Sequence, residues 1–132
     1  MKVILDTNIF VAAGFNPDSS AARAVQAVRD GRLTLVWNET TMRETRRVVG
    51  KIPPLDWNEF AELYTPDNRF NGETEPQNFP AVEGRLDREF AALSKATGAL
   101  LVFNDDHLLG VRDQLPITVM SSGQFARNHL PH

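Results

Sequence analysis

Apolar residues along this chain occur in short runs, and polar stretches that contain glycine and proline separate those runs. The nearly continuous run at Lys2–Leu5 is typical of a strand that is covered on both faces of a sheet. After the turn-forming residues 16–20, Ala21, Val25 and Val28 form a stripe of helical spacing. Such patterns predict strands at 2–5, 33–37, 99–103 and 116–120. They also predict helices at about 21–29, from 38 or 40 to 49, at 55–64 and 86–97, from 108 onward, and a turn or helix at 122–127.

The alternation of these elements predicts a parallel sheet with helices on both faces. Residues 65–82, rich in proline, asparagine, glycine and glutamate, are predicted to form a long loop. Loops of this length are often functional or mobile, and this one resembles an insertion more than a domain boundary. At 132 residues the chain is most simply one domain, spanning 1–132.

Composition narrows the class of protein. A hydrophobic fraction of 42% and a charged fraction of 23% are ordinary for a soluble globular domain. The absence of cysteine excludes disulfides, zinc–thiolate sites and thiol catalysis. Because no apolar run is long enough for a membrane span or a signal peptide, we expect a cytoplasmic protein without a membrane partner. The net charge of −3 provides no general attraction to nucleic acid, so any such contact requires a local basic patch.

Two acids lie where predicted strands end. Asp6 follows the first strand and Asp105 follows the third. The carboxyl ends of parallel strands meet at one edge of a sheet, which is where ligands bind in open α/β folds. Glu44 and Asp87 lie on predicted helices that can flank this edge. Because a buried acid is costly unless it is paired or binds a metal, four acids at one edge favour a divalent cation site.

Each acid also has a simpler explanation. Residues 6–8, Asp-Thr-Asn, suit an Asx turn or a helix N-cap. Glu44 could pair with Arg43 or Arg47 on its own helix. Asp87 opens its helix, where a carboxylate interacts favourably with the helix dipole. The occurrence of all four acids around one edge, more than any single acid, favours a site.

The pair Asp105-Asp106 requires a choice. Adjacent side chains at a strand end point apart, so at most one of the two is expected to face Asp6. The alternative is that this pair caps the helix that begins near residue 108. His107 is more typical of a surface or supporting residue than of a ligand, and we leave it outside the ligand set.

Taken together, four segments resemble the motifs of the PIN domain, a family of metal-dependent nucleases best known from ribonuclease toxins of bacterial toxin–antitoxin modules. The segments are VILDTNIF at 3–10, RETRRVV at 43–49, DREFAALSKATGA at 87–99 and VFNDDHLL at 102–109, and residues 117–121 match the closing strand. The resemblance covers nearly the whole chain. Phe103 departs from the pattern, because the family often has a hydroxyl residue two places before the last acid.

The resemblance implies a three-layer α/β/α sandwich with a central, mainly parallel sheet of four to five strands. It implies a metal-dependent endoribonuclease in which Asp6, Glu44, Asp87 and Asp105 are catalytic and bind the metal. Oxygen ligands alone favour Mg²⁺ or Mn²⁺ over zinc. RNA is the expected substrate, and an antitoxin protein and a second copy of the chain are candidate partners. The alternatives are a binding or scaffold module with little catalysis, and an enzyme that acts on small phosphate esters.

Substrate contact would come from polar and basic residues beside the acids. Thr7 and Asn8 are the candidate polar support, and arginines flank both helical acids. A solvated helix face explains any single arginine equally well. Contacts to the phosphate backbone carry little base specificity, so the target RNA is not readable. The candidate arginines are Arg43, Arg46 and Arg47 beside Glu44, and Arg85 and Arg88 beside Asp87.

Overall fold

A four-stranded parallel sheet forms the centre of the protein in a computed structural model that describes residues 1–131. The strand order is β2-β1-β3-β4, and Val3 of the central strand lies opposite Leu35 and Leu100. A parallel bridge between Trp37 and Arg69 continues the edge beyond β2. The predicted α/β class with a mainly parallel sheet is confirmed. The strands are β1 (Lys2–Leu5), β2 (Thr34–Leu35), β3 (Leu100–Val102) and β4 (Val119–Met120).

Six α-helices surround the sheet, and most begin at a polar residue whose side chain accepts a hydrogen bond from the first turn. Gly98 ends the fourth helix with φ of 75°, a left-handed conformation that favours glycine. The helices are α1 (Thr7–Phe15), α2 (Ser20–Arg29), α3 (Glu39–Val49), α4 (Arg85–Thr97), α5 (Asp106–Val111) and α6 (Ser122–His129).

Side chains of β1 alternate between the two faces of the sheet. Val3 and Leu5 pack with α1, α2 and α6, where Phe10 and Phe125 are fully buried. Ile4 packs on the opposite face with α4 and α5. Each fully buried phenylalanine or leucine contributes about 1.5–3 kcal/mol to stability. The chain therefore forms the expected three-layer sandwich.

Four segments differ from the prediction. Residues 7–15 form α1, which was not predicted, because its apolar residues surround the helix and leave no polar stripe to reveal the period. Residues 55–64 form two short 3₁₀ turns, Trp57–Glu59 and Ala61–Leu63, instead of a helix. Packing explains this second difference, since Phe60 and the Tyr64 ring both contact Phe10. Residues 33–37 and 116–120 also contribute only two ladder residues each.

The predicted loop at 65–82 packs against the sheet edge and α4. The indole N–H of Trp37 donates to the Thr65 carbonyl at 2.9 Å, and Phe79 and Val82 are buried beside α4. Two further 3₁₀ turns, Pro66–Asn68 and Pro76–Asn78, divide the segment. Among residues 1–131, no helix is long and apolar enough to cross a membrane.

Candidate active site

Asp6 lies between β1 and α1, at the carboxyl end of the central strand. Its residue is 3% exposed. Oδ1 accepts the backbone N–H of Asn8 at 2.5 Å and so caps α1. Oδ2 is buried and has no hydrogen-bond partner among residues 1–131. A buried carboxylate oxygen without a partner is costly, so a positively charged group is the natural complement of this atom.

The pKa shifts of Asp6 and Asp87 show which of the predicted acids lie near one another. The pKa of Asp6 is raised to about 7. Burial is the main cause; the Asn8 N–H lowers the pKa, and the charges of Asp87 and Asp105 raise it. The pKa of Asp87 is also raised, first by burial and then by Asp105 and Glu44, while His107 lowers it. Asp87 therefore lies within electrostatic reach of each of the other three acids at this edge.

Different elements position the other acids. Asp87 lies in the first turn of α4, and a Cβ added to Gly84 would lie 2.5 Å from its Oδ2, so glycine is required for this approach. Asp105 caps α5 by accepting the His107 N–H at 2.7 Å. His107 itself turns to Glu83, with 3.0 Å between Nε2 and Oε2.

Glu44 lies on the flank of the buried stripe of α3. The fully buried positions of this helix are Thr45 and Val49, with Thr41 nearly so. The side chain of Glu44 is 14% exposed and is bound by Arg47 of the same helix. We call the end of the sheet near Asp6, Glu44, Asp87 and Asp105 the acidic edge. Glu44 approaches this edge from the solvent side, whereas Asp6 approaches it from the core.

The oxygen-only ligand set fits a hard cation such as Mg²⁺ or Mn²⁺, and the unpartnered Oδ2 of Asp6 supplies a free ligand atom. Among residues 1–131, however, no three acidic or histidine side chains are gathered closely enough to hold a metal. In this arrangement the Glu44 carboxylate is engaged by Arg47, and one oxygen of Asp105 is engaged by α5. Metal binding at this edge therefore requires side-chain movement.

A buried pair of hydroxyl groups joins α3 to α1 at the residue that follows Asp6. Thr7 Oγ1 and Thr45 Oγ1 are 3.0 Å apart, and Thr45 is fully buried. Burial raises the pKa of the Tyr64 phenol, a hydrogen bond with Thr45 lowers it, and the charge of Asp6 raises it. Sequence reasoning missed Thr45 and Tyr64. The only signal was a threonine in the apolar stripe of α3, which alone does not identify a partner 38 residues away.

The candidate substrate residues are in different environments. The Thr7 hydroxyl points to Thr45 in the interior, so it supports α1 and is not presented to a ligand, whereas Asn8 is exposed. Arg43 pairs with Glu39 at 2.8 Å. The Nε of Arg88 donates to the carbonyl of residue 82. Within residues 1–131, the side chains of Arg46 and Arg85 have no hydrogen-bond or ion-pair partner; both are exposed.

An open cleft of about 600 Å³ lies beside the acids, between α3 and the start of α4. Two acids of the site and two arginines face it, together with the exposed side chain of Leu86. A phosphate-containing chain in this cleft would have both positive charge and the acidic edge within reach. The lining residues are Glu44, Arg47, Gly84, Arg85, Leu86 and Asp87.

Comparison with known proteins identifies the family. The PIN domain model matches residues 2–99, which include Asp6, Glu44 and Asp87 but not Asp105. The crystal structure of VapBC2 from Rickettsia felis, bound to a DNA fragment from their promoter, is similar with a TM-score of 0.62. It is 16% identical, and the match covers 92% of this chain and 98% of that chain. No curated protein sequence matches this chain. The family model spans most of the chain, and the protein therefore belongs to the PIN domain family.

Proposed function

We propose that this chain is a divalent-metal-dependent endoribonuclease and the toxin of a toxin–antitoxin module. The observation that carries the proposal is the buried Oδ2 of Asp6, which has no hydrogen-bond partner within residues 1–131, in a carboxyl group close to the charges of Asp87 and Asp105. An atom in that position at the ligand-binding edge of a parallel sheet suits a metal better than it suits a structural role. PIN domains are generally nucleases, which supports the same reading.

Individual residues have distinct roles in the proposed function. Asp6 would hold the metal through Oδ2, and the Asn8 N–H bonded to Oδ1 already fixes the orientation of the carboxylate. Glu44, Asp87 and Asp105 supply the other oxygen ligands. When bound, Mg²⁺ or Mn²⁺ activates a water molecule and offsets charge on the phosphoryl oxygens. Arg46 and Arg85, which are exposed and unpaired within residues 1–131, contact the phosphate backbone.

The partner is the second element of the proposal. The similar solved structure is a VapBC2 complex bound to DNA from its promoter, and we propose that an antitoxin protein likewise binds this chain. A dimer of the chain would present two acidic edges to such a partner. Co-expression of the chain with the product of a neighbouring reading frame, followed by size-exclusion chromatography, tests for this complex.

The catalytic part is tested with the purified full chain on single-stranded RNA, single-stranded DNA and a phosphomonoester, each with Mn²⁺ or with EDTA. We expect cleavage of RNA only with the metal, and loss of more than about 100-fold of that activity in Asp6→Asn, since even residues that only support metal ligands contribute about 10–100-fold. Asp18→Asn, an exposed acid in the turn before α2, is the matched control. Hydrolysis of the phosphomonoester alone would indicate a different phosphoryl-transfer enzyme, and metal-independent RNA binding without cleavage would indicate a binding module.

A further inference from the structure

Arg47 occupies both carboxylate oxygens of Glu44. Its Nη2 donates to Oε1 at 3.0 Å and to Oε2 at 3.1 Å, and its Nε donates to Oε2 at 3.2 Å. These contacts form a two-pronged pair in which Nη2 and Nε of the guanidinium engage both oxygens of the carboxylate. The Arg43–Glu39 pair on the same helix, by comparison, has a single contact at 2.8 Å.

We propose that Arg47 is an internal counter-cation that holds Glu44 while the site is free of metal, and that it must release Glu44 before a divalent metal can bind there. This inference rests on the metal-dependent function proposed above. Arg47 thereby acts as a positioning residue, because it sets when Glu44 is available and does not itself need to touch the metal.

Charge is the first reason. Glu44 lies close enough to Asp87 for its charge to raise the pKa of that carboxyl. Without a nearby cation, the negative charges at this edge would repel one another and drive the Glu44 side chain toward solvent. The guanidinium of Arg47 offsets this repulsion, and a bound divalent cation would offset it more strongly because it carries twice the charge.

Geometry is the second reason. A divalent cation would have to contact a carboxylate oxygen directly, so a guanidinium that covers both oxygens of Glu44 blocks the cation by position and by charge. Arg47 can leave without any change in the backbone, because its side chain is 52% exposed. The cleft of about 600 Å³ that Glu44 and Arg47 both line gives the released side chain space near Arg85. There it would face the phosphates of a bound chain, so the residue that delays the metal would then contact the substrate.

The test is direct titration of Mn²⁺ into the full chain by isothermal calorimetry, at about 0.15 M salt so that distant charges are screened. We expect Arg47→Gln to bind Mn²⁺ about 1.4- to 5-fold more tightly than the wild-type chain, the range that corresponds to the loss of one competing ion pair. Arg47→Lys keeps the charge but loses the two-pronged contact and should lie between the two. Arg43→Gln is the matched control, since it removes an arginine of the same helix whose partner, Glu39, lies outside the site.

A second measurement separates this role from a structural one. RNA binding in the presence of saturating Ca²⁺, a metal used here to limit cleavage, should weaken in Arg47→Gln even though metal binding tightens. An arginine that only stabilised α3 would not change the two affinities in opposite directions, and unfolding monitored by circular dichroism checks that the variants are equally folded.

The outcomes distinguish the inference from the function on which it rests. Mn²⁺ affinity in Arg47→Gln that equals or falls below that of the wild type, with Asp6→Asn still losing the metal, overturns the role of Arg47 and leaves the nuclease proposal intact. A tightening of the same size in Arg43→Gln also overturns it, because the effect is then one of general charge. Absence of Mn²⁺ binding to the wild-type chain overturns both proposals together.

Discussion

The two sides of the acidic edge are built in different ways. On the core side, Asp6 is held by the Asn8 N–H that it caps, and the adjacent Thr7 contacts the buried Thr45 through their hydroxyl groups. On the solvent side, Glu44 is held by the exposed side chain of Arg47. The core side cannot rearrange without disturbing the packing of α1 and α3, whereas the solvent side rearranges by rotation of side chains. Under the two proposals, the core side would define where a metal binds and the solvent side would control when it binds.

Burial also separates the two sides energetically. Asp6 keeps a raised pKa because its surroundings cannot solvate its charge. The arginines of α3 are exposed at the surface, where an ion pair contributes about 0–1 kcal/mol. Changes on the core side should consequently alter activity and stability together, and changes to the exposed arginines of the solvent side should alter affinities with little effect on stability.

After Asp6→Asn, the largest expected effect concerns Asp105 and its neighbour. Asp105→Asn should lose about 10–100-fold or more of RNA cleavage, because this carboxylate raises the pKa values of Asp6 and Asp87 and so lies in their group. Asparagine retains the oxygen that caps α5. Asp106→Asn is the matched control and should change cleavage by less than about threefold, since Asp106 is exposed in the first turn of the helix. Rates measured side by side in saturating Mn²⁺ decide the matter; the reverse order of effects would place Asp106 in the site.

The next prediction concerns the dependence of stability on pH, which reports how strongly burial raises the pKa of Asp6. With a pKa raised from 3.8 to about 7, the folded metal-free chain retains a proton that the unfolded chain has already lost. Its free energy of unfolding should then fall as the pH rises from about 4 to about 7, by about 2–4 kcal/mol in total, and level off above that range. The raised pKa of Asp87 acts in the same direction.

Urea unfolding in EDTA at about pH 5 and about pH 8 measures this change. Asp6→Asn should be less sensitive to pH and more stable than the wild type at the higher pH, while retaining the Asn8 contact through its amide oxygen. Added Mn²⁺ should restore wild-type stability at high pH. If the free energy of unfolding depended on pH equally in the two proteins, Asp6 would be solvated and would not belong to the buried core side of the site.

How much of this could be read from the sequence depends on the range of the interaction. The positions of Asp6 and Asp105 at the sheet edge could be predicted, because each residue follows an apolar run that forms a strand of a parallel sheet. The fold class was also readable from the alternation of elements. The contact between Thr7 and Thr45 was not, because it joins residues 38 positions apart through the packing of α1 on α3.

Local patterns also left real choices open. Glu44 can reach Arg47 or Arg43 at helical spacing, and only the structure shows that Arg47 takes it while Arg43 pairs with Glu39. Helix α1 was missed because residues 9–13 are apolar on all sides, which removes the periodic signal.

A smaller effect is expected from the buried hydroxyl pair. Thr45→Val keeps the shape of the side chain but leaves the Thr7 hydroxyl without its partner, which should lower the free energy of unfolding by about 1–3 kcal/mol. Thr40→Val, an exposed threonine of the same helix, should change it by less than about 0.5 kcal/mol. The double variant Thr7→Val/Thr45→Val should recover part of the loss, since neither hydroxyl is then buried alone. A double variant that loses the sum of both single losses would show that the two hydroxyls do not interact.

The smallest effect should come from the solvent side of α3, in the double variant Arg43→Gln/Arg46→Gln. Each phosphate contact contributes about 0.7 to the slope of log affinity against log salt for a single strand, so the slope should fall by up to about 1.4. Arg46 should account for most of the change, because it is exposed and unpaired within residues 1–131 whereas Arg43 is engaged by Glu39. Stability should change by less than about 1 kcal/mol, since exposed pairs contribute little. Fluorescence anisotropy of labelled RNA across a salt series, with the single variants alongside, gives the two contributions. An unchanged slope would remove this face of α3 from the substrate path and leave its arginines free to bind a protein partner.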